Sequence, residues 1–129
     1  MLKRTVLFAL MTVGLIGVGI NLYAAGDLDG TQWKMREGKL PIGKQDTMKF
    51  ESGNFTSVEC IPYGFNGSPY ESRQENGQIK WNATQKNNKG ESMVWEGTVQ
   101  PNGKMKGTYT YTDEKKKITK KNWAARKAS

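Results

Sequence analysis

Apolar residues in this chain recur at every second position, and no window holds helical spacing for three turns. Trp33 and Met35 alternate with Gln32, Lys34 and Arg36. Met48 and Phe50 alternate with Thr47, Lys49 and Glu51. The same pattern returns at Ile79, Trp81 and Ala83, at Met93, Trp95, Gly97 and Val99, and at Met105, Gly107, Tyr109 and Tyr111. A period of two places each of these sets on one buried face of a strand. Turn-forming residues separate the runs, and Asn76-Gly77 and Asn102-Gly103 are hairpin signals because both residue types tolerate positive φ. The spacing predicts strands at 31–37, 46–52, 54–61, 68–75, 78–85, 91–100, 104–112 and 116–123. Strands at this regular spacing, joined by short connections, predict an all-β, eight-stranded antiparallel up-and-down barrel. Gly97, Gly107 and Ala83 on its inner face leave space beside Trp33, Trp81 and Trp95. In the last strand Ile118 and Trp123 fall on opposite faces unless a bulge intervenes.

The first 25 residues have a different character. Lys3 and Arg4 precede an uncharged, mostly apolar run from Val6 to Ile20, and Ala24 and Ala25 follow. This is the three-part pattern of a secretory signal peptide. The uncharged run from Thr5 to Gly26 is also long enough for a retained anchor, but Gly14, Gly17 and Gly19 weaken a spanning helix and no basic stop-transfer cluster follows. The expectation is therefore a signal peptide at 1–25 and one barrel domain at 26–129. The protein is expected to be exported to the periplasm or the exterior of a bacterial cell, with no membrane span after cleavage.

Composition narrows the chemistry. The chain has no histidine, which excludes His-based nucleophilic mechanisms and His-ligated metal. One cysteine, Cys60, excludes an internal disulfide framework and reads as a buried apolar thiol or an intermolecular partner. The net charge of +8 is unevenly spread. Residues 26–114 carry 11 basic and 12 acidic side chains, whereas 115–129 carry seven basic and no acidic ones. Pairs of carboxylates such as Glu59 and Glu71 occur in any sequence with 12 acids and carry no assignment. No catalytic residue, metal site or cofactor is assigned, and the chain is read as a non-enzyme.

Several short motifs point to a family. Asp29-Gly30-Thr31-Gln32-Trp33 resembles the Gly-x-Trp opening of lipocalins and other calycins, with one extra residue between Gly and Trp. Met105-Lys106-Gly107-Thr108-Tyr109 resembles the Gly-Thr-Tyr strand of avidin-like barrels. The mature chain as a whole is similar to small exported lipocalin-like proteins of bacteria, through Phe55-Thr56-Ser57-Val58-Glu59-Cys60 and the later Gly64-Phe65. The resemblance implies a barrel with its open end as a ligand mouth. It carries over no ligand.

Two groups of residues are candidates for binding. Trp33, Trp81, Trp95 and Tyr109 on the inner face, with Tyr63, Phe65 and Tyr70 from the irregular segment 61–70, form either packed core and an end plug or an aromatic pocket with a lid. Lys115, Lys116, Lys117, Lys120, Lys121, Trp123, Arg126 and Lys127 form either a solvated last strand or a contact with an anionic surface, Trp123 dipping into the interface. Nucleic acid is disfavoured, because one tryptophan is thin support for base stacking and the leader points to export. The leading expectation is an exported lipocalin-like barrel that binds a small apolar ligand or a cell-envelope component. The alternatives are a protein-binding or inhibitor module working through loops and outer face, and an envelope-surface protein acting through the basic C-terminal segment.

Overall fold

The computed structural model describes residues 22–23, 26–38 and 44–128; the expected leader otherwise lies outside them. Nine strands are present among the described residues: β1 (Leu22–Tyr23), β2 (Thr31–Glu37), β3 (Gln45–Glu51), β4 (Asn54–Ser57), β5 (Ser68–Glu75), β6 (Gln78–Lys86), β7 (Ser92–Val99), β8 (Met105–Thr112) and β9 (Ile118–Lys127). From β2 to β9 each strand pairs antiparallel with the next, and β9 pairs back onto β2. The result is a closed eight-stranded up-and-down barrel, as the alternation predicts. β1 stands outside the ring, against the edge of β5 that the short β4 leaves uncovered (Leu22↔Gln74, Tyr23↔Arg73).

Local chemistry sets the connections. At Asn76-Gly77 both residues have positive φ, 51° and 77°, the two-residue hairpin conformation that suits the right-handed twist of β5 and β6. The predicted strand at 54–61 is instead cut short at Ser57, and Val58–Tyr63 form a 3-10 helix. The cause is Asp46. Its carboxylate accepts hydrogen bonds from the Ser57 hydroxyl and from the Glu59 N–H (3.0 Å), which bends the chain inward after β4. Pro62, which has no N–H for a ladder, lies in the same turn.

The last strand also departs from expectation. It runs from Ile118 to Lys127 instead of 116–123, because its C-terminal half pairs with β2 from Glu37↔Trp123 to Trp33↔Lys127 and closes the barrel. Its register with β8 is continuous from Thr112↔Ile118 to Met105↔Ala125. Ile118 therefore faces outward and Trp123 inward, without a bulge.

The two ends differ. At one end Leu28 is buried, and its N–H donates to the Tyr70 hydroxyl (2.9 Å). Tyr70 in turn donates to Asp29 (2.8 Å), whose carboxylate also accepts from the Gly53 N–H. The segment 26–30 thus closes this end. The opposite end is formed by the 3-10 helix, the β6–β7 connection, the β8–β9 connection and the ends of β2 and β3, and it is the open end.

Between them the interior is occupied by rings. Phe50 and Phe55 each lie 4.9 Å from Trp81, Phe55 lies 5.1 Å from Trp95, and Trp123 lies 6.1 Å from Trp81 and 6.3 Å from Trp95, centroid to centroid. The space expected beside the tryptophans at Gly97 and Gly107 is filled by indoles. These glycines face each other across β7 and β8. A Cβ at Gly107 would meet the Glu96 backbone carbonyl and lie 2.6 Å from Trp123 Cζ2, and one at Gly97 would lie 2.7 Å from Trp81 Cε2. Overpacking of this kind typically costs about 1–3 kcal/mol. Gly107→Ala is therefore expected to lower the unfolding free energy by that amount or more, read as a lower urea midpoint at unchanged slope; an unchanged midpoint would mean that the wall and interior around Gly107 are loosely packed.

Candidate functional site

Each inner-face tryptophan is committed to packing. Trp33, Trp81 and Trp95 are 3% exposed or less. Trp95 Nε1 donates to Gln85 Oε1 (2.9 Å), whose amide donates to the Asn66 carbonyl (2.9 Å). Trp33 Nε1 donates to Thr31 Oγ1 (2.9 Å), and Trp81 Nε1 meets the Met105 sulfur at 3.4 Å. The aromatic residues grouped as a lid are not brought together. Tyr70 belongs to β5 and seals the closed end, Phe65 is buried as a plug, and Tyr63 is 70% exposed at the open end. The reason is parity: Tyr70 opens the inward-facing set of β5, which continues at Ser72.

A recess of about 360 Å3 remains at the open end, lined by Met35, Asp46, Cys60, Tyr63, Met93 and Tyr109, among others. Its polar groups are largely engaged. The Tyr109 hydroxyl donates to Glu37 (2.5 Å), and burial together with that bond pushes its pKa up. Burial raises the Asp46 carboxyl against the hydrogen bonds from Ser57 and Glu59. Burial also pushes the Cys60 thiol up, away from the thiolate a nucleophile requires. At the rim Tyr111 donates to Glu91, a bond that pushes the tyrosine up to about 12 and holds the carboxylate below its usual range.

The basic C-terminal residues separate by position. Trp123 is 3% exposed inside the barrel and cannot dip into an interface; its place on the inward parity of β9 decides this. Its Nε1 is buried with no hydrogen-bond partner among the described residues. Lys115, Lys116 and Lys117 lie in or beside the β8–β9 turn at the open end, and Lys121 lies opposite Tyr109. Lys127 lies opposite Trp33, towards the closed end. Lys120 and Arg126 point outward.

Those two join a surface that the sequence reading missed. The outward positions of β2 are Gln32, Lys34 and Arg36; of β8, Lys106, Thr108, Thr110 and Thr112; of β9, Ile118, Lys120, Asn122, Ala124 and Arg126. These three adjacent strands present five cations and no carboxylate. Lys34 stands directly opposite Arg126, and Ala124 stands between Arg36 and Lys106. A groove of about 690 Å3 runs here, lined by the cations Lys34, Arg36, Lys104 and Arg126 and, towards β3 and the 3-10 helix, by the acids Asp46 and Glu59. Among the described residues, the ion pairs are Arg73–Glu75 and Lys80–Glu75, both on the far side of the barrel. The signal was in the sequence, since Lys34 and Arg36 occupy polar positions of the first strand. What was missing was that the last strand closes onto it.

No family model, curated protein or solved structure matches the chain. Among the described residues no group of three or more His, Cys, Asp or Glu side chains is placed to hold a metal ion, and no helix is long and apolar enough to cross a membrane.

The buried Asp46 yields a pH test. The folded chain holds its proton more tightly than the unfolded chain, because burial raises the carboxyl above its ordinary 3.8. Its stabilising contribution is complete below that value and is lost as pH rises through the elevated folded value. Asp46→Asn stays neutral and keeps an acceptor for the Glu59 N–H. The stability of the variant relative to wild type is expected to increase as pH rises from acid towards neutral. Glu75 and Glu91, held low by their partners, act with the opposite sign in both proteins and cancel in the difference. A flat difference would contradict the buried setting of Asp46.

Proposed function

We propose that this protein is an exported, non-enzymatic, lipocalin-like barrel that binds a polyanionic polymer of the cell envelope across the outer faces of β2, β8 and β9. The observation that carries the reading is the direct opposition of Lys34 and Arg126. Like charges directly opposite on one face of a sheet are destabilising. Neither side chain belongs to the ion pairs found among the described residues, Lys34 Nζ donating instead to Thr47 Oγ1 (3.1 Å), and Arg36, Lys106 and Lys120 extend the same charge along the face. An arrangement unfavourable to the free protein becomes favourable when an anionic chain lies along it. The face also lacks exposed large apolar residues except Ile118 at its edge, which suits a polar polymer better than a lipophile. The ring-filled interior supports placing the function outside the barrel.

The recess at the open end favours a second, compatible reading, a small ligand seated against Met35, Met93 and Tyr109. Quenching of the neighbouring Trp95 on titration with a naphthylamine lipophile supports it, and an unchanged spectrum counts against it.

Lys34→Glu tests the main reading. Placing a carboxylate opposite Arg126 is expected to stabilise the barrel by roughly 0.2–1 kcal/mol. The same change is expected to weaken binding to labelled dextran sulfate at least about tenfold and to flatten its dependence on salt. Neutral dextran should not bind either protein. Equal affinity of wild type and variant, or equal binding of dextran and dextran sulfate, would overturn the proposal.

A further inference from the structure

We infer that the open end of the barrel docks on an anionic phospholipid surface. Among the described residues the exposed large apolar side chains are Ile61 (44%), Tyr63 (70%), Val94 (37%) and Ile118 (67%). All of them lie at or near the open end. Ile61 and Tyr63 belong to the 3-10 helix, Ile118 begins β9, and Val94 is the third residue of β7 from that end. The turns of the closed end, at 52–53, 76–77 and 101–103, are built from Ser, Gly, Asn and Pro and expose no large apolar side chain.

Hydrogen bonds link the elements that carry two of these residues. The Asn87 amide donates to the Tyr63 carbonyl (2.9 Å) and to Glu91 (2.8 Å). Glu91 accepts from Tyr111, which lies opposite Thr119, the neighbour of Ile118. The 3-10 helix, the β6–β7 connection and the end of β8 are therefore linked across the rim. Lysines surround them: Lys44, Lys89, Lys115, Lys116, Lys117 and Lys121 are all exposed at this end.

The six acidic groups of the same end include four that are buried or half-buried and bonded within the protein, so the exposed charge there is mainly that of the lysines. Glu37 accepts from Tyr109, Asp46 from Ser57 and Glu59, and Glu91 from Tyr111 and Asn87. Asp113 accepts from the N–H groups of Lys115 and Lys117. Glu59 and Glu114 are exposed against the six lysines. Aliphatic side chains and a tyrosine ringed by lysines match the headgroup boundary of an anionic bilayer, where amphipathic aromatics settle and basic residues are attracted. The basic outer face lies on the side of the barrel, so end-on docking leaves it accessible. The inference does not depend on the polymer reading.

The test uses the full chain with one added tryptophan at a time: Tyr63→Trp, Ile118→Trp, and Asn102→Trp at the closed end. Each is mixed with vesicles of brominated phosphatidylcholine, with and without phosphatidylglycerol. Bromine quenching is expected at 63 and 118 and not at 102, and only when phosphatidylglycerol is present. A leader embedded in the bilayer would bring all three proteins to both vesicles but would not produce that positional and lipid contrast. Joint replacement of Lys115, Lys116 and Lys117 by Gln is expected to abolish the contrast while dextran sulfate binding persists. Equal quenching at all three positions, no quenching, or quenching indifferent to phosphatidylglycerol would overturn the inference.

Discussion

The barrel depends on two glycines facing each other. Gly97 and Gly107 are register partners on β7 and β8, and the indoles of Trp81 and Trp123 lie where their side chains would be. Protein interiors tolerate few voids, and a small barrel must fill its own lumen. Here one flat patch of backbone admits two indoles at once. Trp81 reaches Phe50 and Phe55 on the opposite wall, and Trp123 reaches Trp95. The rings in turn hold β9 against β2, because Trp123 sits at the point where the last strand begins to pair with the first. Closure and core packing are thus one constraint.

A filled interior moves the available chemistry to the ends and the outside. One end is stitched shut by Leu28, Tyr70 and Asp29. The other keeps a recess because the chain leaves β4 as a 3-10 helix, bent inward by the carboxylate of Asp46, instead of continuing as a strand. That same helix lifts Ile61 and Tyr63 out of the core. A single buried carboxylate therefore shapes both the recess and the apolar rim above it.

Charge is organised by strand order. In an up-and-down barrel the first and last strands are neighbours, so Lys34 and Arg36 meet Arg126 and approach Lys106 across β9 although they lie far apart in the chain. Of the acidic outward positions, Glu71 and Glu75 lie on β5, away from that face, whereas Glu51 on β3 and Glu96 on β7, opposite Thr108, flank it. The sidedness of charge follows from closure and not from any local run of lysines.

The period-two alternation by itself determined the strand faces, the burial of Trp33, Trp81 and Trp95, and the closed antiparallel order, because alternation specifies which side of a strand must leave water. It also pointed to the opposition of Ile118 and Trp123, which simple parity dictates. It did not reveal that 58–63 would leave the sheet, since the bend comes from Asp46, more than ten residues away in sequence. Nor did it show that the basic C-terminal segment would be divided among the core-facing strand, the rim and the outer face. That division was decided by the register of β9 against both neighbours, and register between distant strands exists only once the barrel has closed.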